Sequence, residues 1–204
     1  KAADAAKAAR AGYTLMDKSR LYAGFMNVED QEVLWGFDHT VETQTTYASF
    51  FSHMSNDSPG YGGLNQMSKL IDVNLYNSIS VTDYRKAWFN DAAGDPSAAQ
   101  TGATMPYASR KFGFDSQWLQ DYIYMRAAEM YLIYAEAKAR IDGGTTTDAE
   151  AVKCFNAIQR RAGLAAGNSS VSVDGVFEEI TRELYWEGLR RTTLIRFNKY
   201  VEGN

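Results

Sequence analysis

The sequence predicts a mainly α-helical protein with tetratricopeptide-like helical hairpins, a long irregular aromatic-rich loop region and few short strands. Two stretches in the last third, Met125–Ala139 and Val152–Ile158, place apolar residues three and four positions apart, which is the helical spacing. A short connection joins these stretches, so they should pack as an antiparallel pair. All three prolines lie instead between residues 39 and 118, where no long period emerges.

Residues 1–30 are predicted to form a helical segment that is part of a helical hairpin. The stretch Ala2–Ala11 is rich in alanine and lysine and lacks glycine and proline, which favours a helix. Gly12 then stands where a glycine commonly ends a helix. A short second helix is expected over Leu21–Met26, and a helix of that length needs a neighbour to be stable.

Residues 31–118 are predicted to be a loop-rich region that carries the ligand-binding surface. The run Glu32–Phe37 is apolar enough for a short buried strand, which would place Trp35 in the core. Beyond this run, pairs of Asn, Asp, Pro and Gly indicate repeated turns. Aromatic residues recur throughout, and long ordered loops of this kind are often functional.

Residues 119–204 are predicted to be a tetratricopeptide-like helical region. The first helix is expected from Leu119 to Asp142, and the second begins with Asp148 as its N-cap. The third is expected from Asp174, its candidate cap, to about Leu194. The full repeat signature of roughly 34 residues is not present, so a regular array is not predicted.

Composition and charge narrow the classes of function. The 204 residues are 45% hydrophobic and 23% charged, which is typical of a globular protein. A net charge of -4, from 21 basic and 25 acidic residues, argues against nucleic acid as the main partner. The single cysteine, Cys154, excludes an intrachain disulfide, and its apolar neighbours predict an inert packed thiol. No apolar stretch is long enough for a transmembrane helix.

Three stretches in the last third follow the motifs of one protein family, in the family's order. Tyr124–Ala137 carries the pattern R-x-A-E-x-Y-L-x-x-A-E-A, Cys154–Gly163 is close to N-x-x-R-x-R-A-G, and Ile180–Phe197 is close to R-E-L-x-x-E-G-x-R-x-x-x-L-x-R. The second motif is shifted slightly after Asn156, and Thr193 stands where the third motif usually has Asp. The chain therefore resembles the SusD/RagB family of outer-membrane nutrient-binding lipoproteins.

The resemblance implies a fold, a location and a partner. It implies that the chain is the C-terminal portion of a larger protein, truncated at both ends. That protein would be anchored at the cell surface of a Bacteroidetes-type outer membrane through a lipidated cysteine absent from this chain. It would capture a glycan or another nutrient and deliver it to a SusC-type TonB-dependent transporter during polysaccharide utilisation. No enzymatic activity, cofactor or nucleic-acid partner is expected.

The third motif is rich in charge and allows two interpretations. Glu183 and Glu187 lie one helical turn apart, so they could form a carboxylate pair for glycoside hydrolysis or metal binding. They could equally belong to an ion-pair lattice that locks this helix against Arg126 and Glu129. We favour the lattice, because carboxylates beside several arginines stay ionised and make poor acids. In the resembled family these motifs are structural.

The aromatic loops are the predicted ligand-binding region. Sugar rings have apolar C–H faces that stack on flat aromatic side chains, while amide and carboxylate groups bind the hydroxyls. The predicted ligand-binding residues are Tyr47, Phe50, Phe51, His53, Asn56, Asp57, Tyr61 and Trp88. No catalytic or metal-binding residue is predicted, because neither His39 nor His53 has the spacing of a metal ligand. Trp186 lies among the motif residues and is expected in the core.

Oligosaccharide binding without chemistry is thus the predicted function, and two alternatives stay open. One is a helical protein-interaction scaffold without its own small-molecule site, in which the loops serve only the transporter interface. The other is a glycoside hydrolase that acts through Asp and Glu pairs. Nucleophile-elbow, dinucleotide-binding and Walker motifs are absent from the sequence, so other enzyme classes have no support.

Overall fold

The computed structural model describes residues 1–44, 47, 49–64 and 67–201, so the last three residues of the predicted helical region 119–204 lie outside the described residues. Helices dominate and the strands are few and short, which confirms the predicted fold class. The chain forms two compact units. The first, called the motif unit here, comprises Lys1–Leu15, Arg126–Arg160 and the chain from Leu164 onward, and the second, the loop unit, comprises Met16–Met125 and Arg161–Gly163.

The elements follow one another in a simple order. They are α1 (Ala2–Ala9), α2 (Lys18–Leu21), β1 (Val33–Phe37), α3 (Phe50–Met54), α4 (Val73–Ser78), a 3₁₀ turn (Tyr84–Trp88), α5 (Thr101–Thr104), β2 (Tyr122–Arg126), α6 (Ala127–Ile141), β3 (Thr145–Thr146), α7 (Ala149–Arg161), β4 (Val171–Ser172), α8 (Val173–Glu183) and α9 (Arg190–Arg196). The long helices therefore belong to the motif unit, and the described helices of the loop unit are short.

Helix α6 is the centre of the motif unit, because both α1 and α8 pack against it. Its inward positions Ala128, Ala135 and Ala139 are fully buried and small, which lets the neighbouring backbones approach closely. The connection between α6 and α7 pairs with the segment before α8, with Thr146 opposite Val171. The core consists of Ala128, Leu132, Ala135, Phe155, Ile158, Val171, Val176, Ile180, Leu184 and Phe197.

Helix α6 starts at Ala127, so the predicted start at Leu119 is wrong. The residues before it form strand β2, which is hydrogen-bonded to β1. Aromatic and β-branched side chains such as Tyr122 and Ile123 fit a pleated strand better than a helix. Pairing with β1 therefore makes this segment a strand, although a helical pattern follows it directly.

Helix α7 agrees with the sequence at its first turn. The Asp148 carboxylate accepts a hydrogen bond from the Ala151 backbone N–H at 2.9 Å, so the predicted N-cap is confirmed. Cys154 lies on the buried face of this helix. Burial raises the pKa of its thiol to about 11, which confirms the prediction of an inert packed thiol.

The predicted third helix is wrong in its extent and its cap. Helix α8 ends at Glu183, and α9 begins only at Arg190. The backbone between them takes positive φ angles at Trp186 and Gly188, of 61° and 80°, which no α-helix accommodates. The N-cap is Ser172, whose hydroxyl accepts from Gly175 N at 3.0 Å, and not the predicted Asp174. Trp186, expected in the core, is half-buried.

The first helices are also shorter than or displaced from the predicted ones. Helix α1 ends at Ala9 and not at Ala11, and Gly12 follows with a φ of 87°. The second helix covers Lys18–Leu21 instead of Leu21–Met26. Gly24 and Phe25, with φ angles of 88° and 52°, turn the chain out of the helical conformation directly after it.

In the loop unit, buried polar side chains hold long connections in place. The Glu32 carboxylate accepts from the Met16 backbone N–H at 2.8 Å and from the Arg161 guanidinium at 2.6 Å. Arg85 pairs with Asp83 at 2.7 Å, and both side chains are buried. Such pairs provide hydrogen-bond partners for backbone groups and balance buried charges in a region with little regular structure.

Strands β1 and β2 form a two-stranded ribbon, and Trp35 lies on its open face. The predicted short strand exists, but Trp35 is 63% exposed, so its predicted core position is wrong. The reason lies in the next residue. Gly36 lies so close to the Tyr122 carbonyl and the Val28 side chain that a Cβ there would collide with both. The ribbon therefore packs inward on the Gly36 side and leaves Trp35 outside.

Candidate functional site

Helix α3 lies between two predicted site residues, Tyr47 and Tyr61. Ser49 caps this helix by accepting a hydrogen bond from the Ser52 backbone N–H at 3.1 Å. The Ser52 hydroxyl in turn accepts from the Tyr61 backbone N–H at 3.1 Å, which folds the following loop back onto the helix. Gly60 packs directly against Ser52, where a Cβ would collide with that side chain. Ser49 thus fixes the start of helix α3, and Ser52 fixes the position of the Tyr61 backbone.

Three of the predicted site residues form a ring cluster in this segment. The Tyr47 and Tyr61 ring centroids are 4.6 Å apart, and the His53 ring stacks on Tyr61 at 4.5 Å with an angle of 17°. Tyr47 is exposed, and His53 and Tyr61 are partly exposed. The structure therefore brings together three residues that the sequence places up to fourteen positions apart.

Phe50 is exposed and belongs to a second aromatic group. The Phe50 backbone N–H donates to the Tyr122 hydroxyl at 2.7 Å, and the two ring centroids are 5.4 Å apart. Tyr122 lies on the ribbon, and its ring is 4.8 Å from the His39 ring and 6.4 Å from the Tyr124 ring. The Tyr124 ring is 5.0 Å from the Trp35 ring. We call Trp35, Phe37, His39, Tyr122 and Tyr124 the ribbon aromatics.

The ribbon aromatics were not among the predicted site residues. A signal for them was present in the sequence, because Trp35 and Phe37, and likewise Tyr122 and Tyr124, are two positions apart. Side chains at that spacing point to the same face of a strand. This spacing is informative only if both segments are paired strands. The sequence pattern instead predicts a helix for the segment that contains Tyr122 and Tyr124.

Three predicted ligand-binding residues are buried. Phe51 packs beneath the exposed Phe50 ring, and Trp88 is 1% exposed and donates its indole N–H to the Leu21 carbonyl at 2.8 Å. Asn56 is fully buried, where its amide donates to the carbonyls of Lys69 and Ser109 at 2.8 and 2.9 Å. In this arrangement these three side chains would influence ligand binding by holding the loops in position.

Asp57 belongs to an ion-pair group with Arg110. The Arg110 guanidinium bonds the carboxylates of Asp57 and Asp95 at 2.8 and 3.0 Å. Burial opposes the charge of Arg110, but these two partners outweigh it and raise the pKa of the guanidinium. The pKa of Asp95 is lowered by hydrogen bonds from Ser97 and Arg110. Both shifts favour the charged forms of Arg110 and Asp95.

The Asp57–Arg110 pair forms part of the wall of an open cavity of about 680 Å³ in the loop unit. This volume lies within the range of ligand pockets, roughly 300–1,000 Å³. The wall combines aromatic, amide and charged groups, among them the predicted residues Asp57 and Trp88. The lining residues are Lys18, Tyr22, Ala23, Gly24, Met26, Asp57, Ala87, Trp88, Asn90, Arg110, Gly113 and Phe114.

The charged residues of the family motifs form a separate, buried network. The Arg126 guanidinium bonds the carboxylates of Glu183 and Glu187, both at 2.7 Å, and the Arg126 and Glu183 side chains are almost completely buried. The lattice interpretation is therefore confirmed for these residues. It is wrong for Glu129, which makes no ion pair with any described residue. Burial raises the pKa of Glu129, and the nearby Glu187 charge adds to that effect.

The described residues show two further results that bear on function. Within residues 1–44, 47, 49–64 and 67–201, no three His, Cys, Asp or Glu side chains are arranged to hold a metal ion. In the same residues, no helix combines the length and the apolar character that crossing a bilayer requires.

Comparison with known proteins assigns the family. The SusD family model matches residues 80–204, which is more than half of the chain. The chain belongs to the SusD family. The starch-binding protein SusD of Bacteroides thetaiotaomicron is 37% identical to it over 81 residues, which are 37% of this chain and 14% of that protein.

Solved structures share the fold over nearly the whole chain. A SusD-like carbohydrate binding protein from Bacteroides vulgatus superposes with a TM-score of 0.74 and 25% identity, covering 96% of this chain and 40% of that one. Surface glycan-binding protein A from Bacteroides thetaiotaomicron, in complex with laminarihexaose, gives a TM-score of 0.62 at 18% identity, covering 97% of this chain and 50% of that one. At 18% identity the second likeness shows the fold alone. The chain spans at most half the length of these two relatives.

Proposed function

We propose that this chain belongs to a cell-surface protein that binds an oligosaccharide or a related nutrient and delivers it to a SusC-type TonB-dependent transporter. The protein would be held at the outer membrane by a lipid anchor outside this chain. Family membership supports this proposal, as do the ligands named for two relatives, starch for one and laminarihexaose for another. The observation that carries it is the exposed aromatic surface of the loop unit.

Aromatic rings with polar edges suit a sugar ligand. Tyr47, Phe50 and Tyr61 offer apolar faces for the C–H groups of sugar rings, and the tyrosine hydroxyls can bond the sugar hydroxyls. Asp57 and Arg110 supply charged hydrogen-bonding groups at the neighbouring cavity. Such a surface binds by shape and stacking, with the polar groups setting orientation.

We propose that three parts of the chain have different roles in this function. Residues 31–118 would carry the ligand surface, and residues 119–204, with the family motifs, would be its helical scaffold. Residues 1–30 would contribute a helical segment to a hairpin of that scaffold. In this proposal the predicted residues Phe51, Asn56 and Trp88 act by holding the loops, and the exposed ones contact the ligand.

We propose binding and not catalysis. Glu183, the carboxylate that a glycosidase mechanism would use, is buried and bonded to Arg126 at 2.7 Å. A charged neighbour at that distance favours the ionised carboxylate, which is a poor proton donor. Product formation from a polysaccharide that is abolished by Glu183→Gln, with the fold intact, would contradict this proposal.

The test is a glycan-array screen of the purified protein followed by calorimetric titration of the best oligosaccharide. Each stacked ring contributes roughly 0.5–1.5 kcal/mol, so replacing Tyr47, Phe50 and Tyr61 together by Ala should weaken binding at least about tenfold. The matched control replaces three exposed apolar residues of the motif unit, Tyr13, Ile141 and Tyr200, by Ala.

Both triple variants should keep their helical circular dichroism, and the control should keep its affinity. Unchanged affinity in the loop-unit variant would place the site elsewhere. A protein that binds no glycan on the array but does bind the transporter would favour the interaction-scaffold alternative.

A further inference from the structure

Two ribbon aromatics, Trp35 and Tyr124, are the most exposed aromatic side chains of the described residues, at 63% and 50%. Their ring centroids are 5.0 Å apart, one on each strand of the ribbon. Scattered exposed apolar residues are normal in proteins, but adjoining large rings on an ordered element indicate a binding surface. Neither Trp35 nor Tyr124 belongs to the ligand-binding residues predicted from the sequence or to the proposed glycan site.

The backbone beneath the two rings is held in place before any ligand arrives. The buried Asp121 carboxylate accepts from the Val28 backbone N–H at 3.0 Å and from the His39 backbone N–H at 2.9 Å. These two residues flank strand β1 on either side, and Asp121 directly precedes β2. Together with the close contact at Gly36, this clamp fixes the ribbon. A pre-organised surface loses little entropy when it binds.

The pair is also continuous with the proposed glycan site. The Tyr124 ring neighbours the Tyr122 ring, and Tyr122 contacts Phe50 through both its ring and its hydroxyl. We propose that Trp35 and Tyr124 form a further sugar-stacking subsite, which extends the glycan site from Phe50 along the ribbon. This inference rests on the proposed function. It adds the subsite and the type of glycan chain that the subsite accepts.

The angle between the two rings selects the type of glycan. The Trp35 and Tyr124 ring planes are inclined by 54°. Two rings at that angle cannot both lie flat against a chain whose successive sugar rings are coplanar. Each can stack on its own sugar when the chain twists between residues. The ligand is therefore a coiled glycan, of the kind that malto- and laminari-oligosaccharides represent, and not a flat ribbon such as a cello-oligosaccharide.

The experiment uses Trp35 as its own reporter. The protein has four tryptophans, and the difference in emission between the protein and its Trp35→Phe variant isolates the Trp35 signal. Acrylamide should quench this signal strongly in the free protein. Saturation with maltohexaose or laminarihexaose should protect it, whereas a disaccharide of the same series should protect it less.

Titration of the same sugars measures the contribution of the pair to affinity. Trp35→Ala and Tyr124→Ala should each weaken binding of the hexasaccharide about tenfold and should weaken binding of the disaccharide less. Trp35→Phe, which keeps a stacking ring, should retain most of the affinity. The control Tyr13→Ala, an exposed tyrosine of the motif unit, should have no effect.

The outcomes separate this inference from the proposed function. Unchanged affinity in Trp35→Ala at every length, with weakened affinity in the Tyr47, Phe50 and Tyr61 triple variant, would overturn the subsite alone. A Trp35 that acrylamide cannot reach in the free protein would overturn it as well. Tightest binding of cellohexaose would overturn the inference of a coiled ligand. Binding of no glycan by the protein would overturn both proposals.

Discussion

In the motif unit, α1 and α8 pack on α6, and a compact apolar core connects α6 and α8 with α7. In the loop unit the helices are short, and side chains such as Glu32, Asn56 and Arg110 bond backbone groups and charges across long connections. The first unit resembles an ordinary helical core with added buried ion pairs, such as Arg126–Glu183. The second depends on particular polar residues. The unit that carries the family motifs and the unit that carries the most exposed aromatic surface are therefore stabilised by different interactions.

The largest expected effect concerns the Arg126 network of the motif unit. Arg126→Met would remove the guanidinium that bonds the buried Glu183 carboxylate and the neighbouring Glu187 carboxylate. Breaking a buried pair from one side costs about 3–5 kcal/mol of unfolding free energy. Urea denaturation measures it, with Lys138→Met as the control, because the half-exposed Lys138–Asp148 pair should contribute no more than about 1 kcal/mol. Equal losses in both variants would show that the network is no more important than a surface pair.

The next effect concerns Asn56 in the loop unit. Asn56→Ala would remove the side-chain amide that donates to the Lys69 and Ser109 carbonyls and accepts from the Lys69 N–H. It should lower the unfolding free energy by about 1–3 kcal/mol. The exposed Asn77→Ala in α4 should stay within about 0.5 kcal/mol. Thermal and urea unfolding give the comparison. If Asn56→Ala instead weakened glycan binding without a change in stability, Asn56 would be a ligand contact and not a support of the loop.

The smallest effect concerns pH and Glu129 in the motif unit. Because the pKa of Glu129 is raised in the folded state, the native protein binds more protons than the unfolded chain above the ordinary Glu value. Its contribution to stability therefore falls as pH rises from that ordinary value through the raised folded value, and the penalty is complete above it. Each unit of elevation corresponds to about 1.36 kcal/mol.

The Glu129→Gln variant removes this titration. Its stability relative to the parent protein should rise across the same pH window and then stay constant, as measured by urea denaturation at a series of pH values. The control is Glu178→Gln, an exposed residue of α8, which should leave the pH profile close to that of the parent. A parallel pH profile for Glu129→Gln and the parent would contradict the assigned cause.

Some elements follow from local residues alone. The cap of α7 by Asp148 and the inertness of Cys154 were predicted from neighbouring positions in the sequence, and the structure confirms both. An ion-pair lattice that includes Arg126 was also predicted, from the charge pattern of the third motif, and the structure confirms it for Glu183 and Glu187. Helical spacing and capping are properties of a few adjacent residues, so a sequence displays them directly.

Other features depend on partners that are distant in sequence. The start of α6 was predicted too early, because the strand before it exists only through pairing with β1. The break after α8 depends on positive φ angles at Trp186 and Gly188, which the sequence pattern did not reveal. Asn56 is a support in the structure because its partners, at Lys69 and Ser109, are remote in sequence.

The family motifs, the helical scaffold and the many aromatic residues between positions 39 and 118 can be recognised from the amino-acid sequence. Which rings are available to a ligand depends on the tertiary structure. Trp35 was expected in the core, and Trp88 was expected at the site, but the first is exposed and the second is buried. The physical reason is that exposure depends on what packs on the other side of a strand or turn. For Trp35 that is the contact of Gly36 with Tyr122, more than eighty residues away.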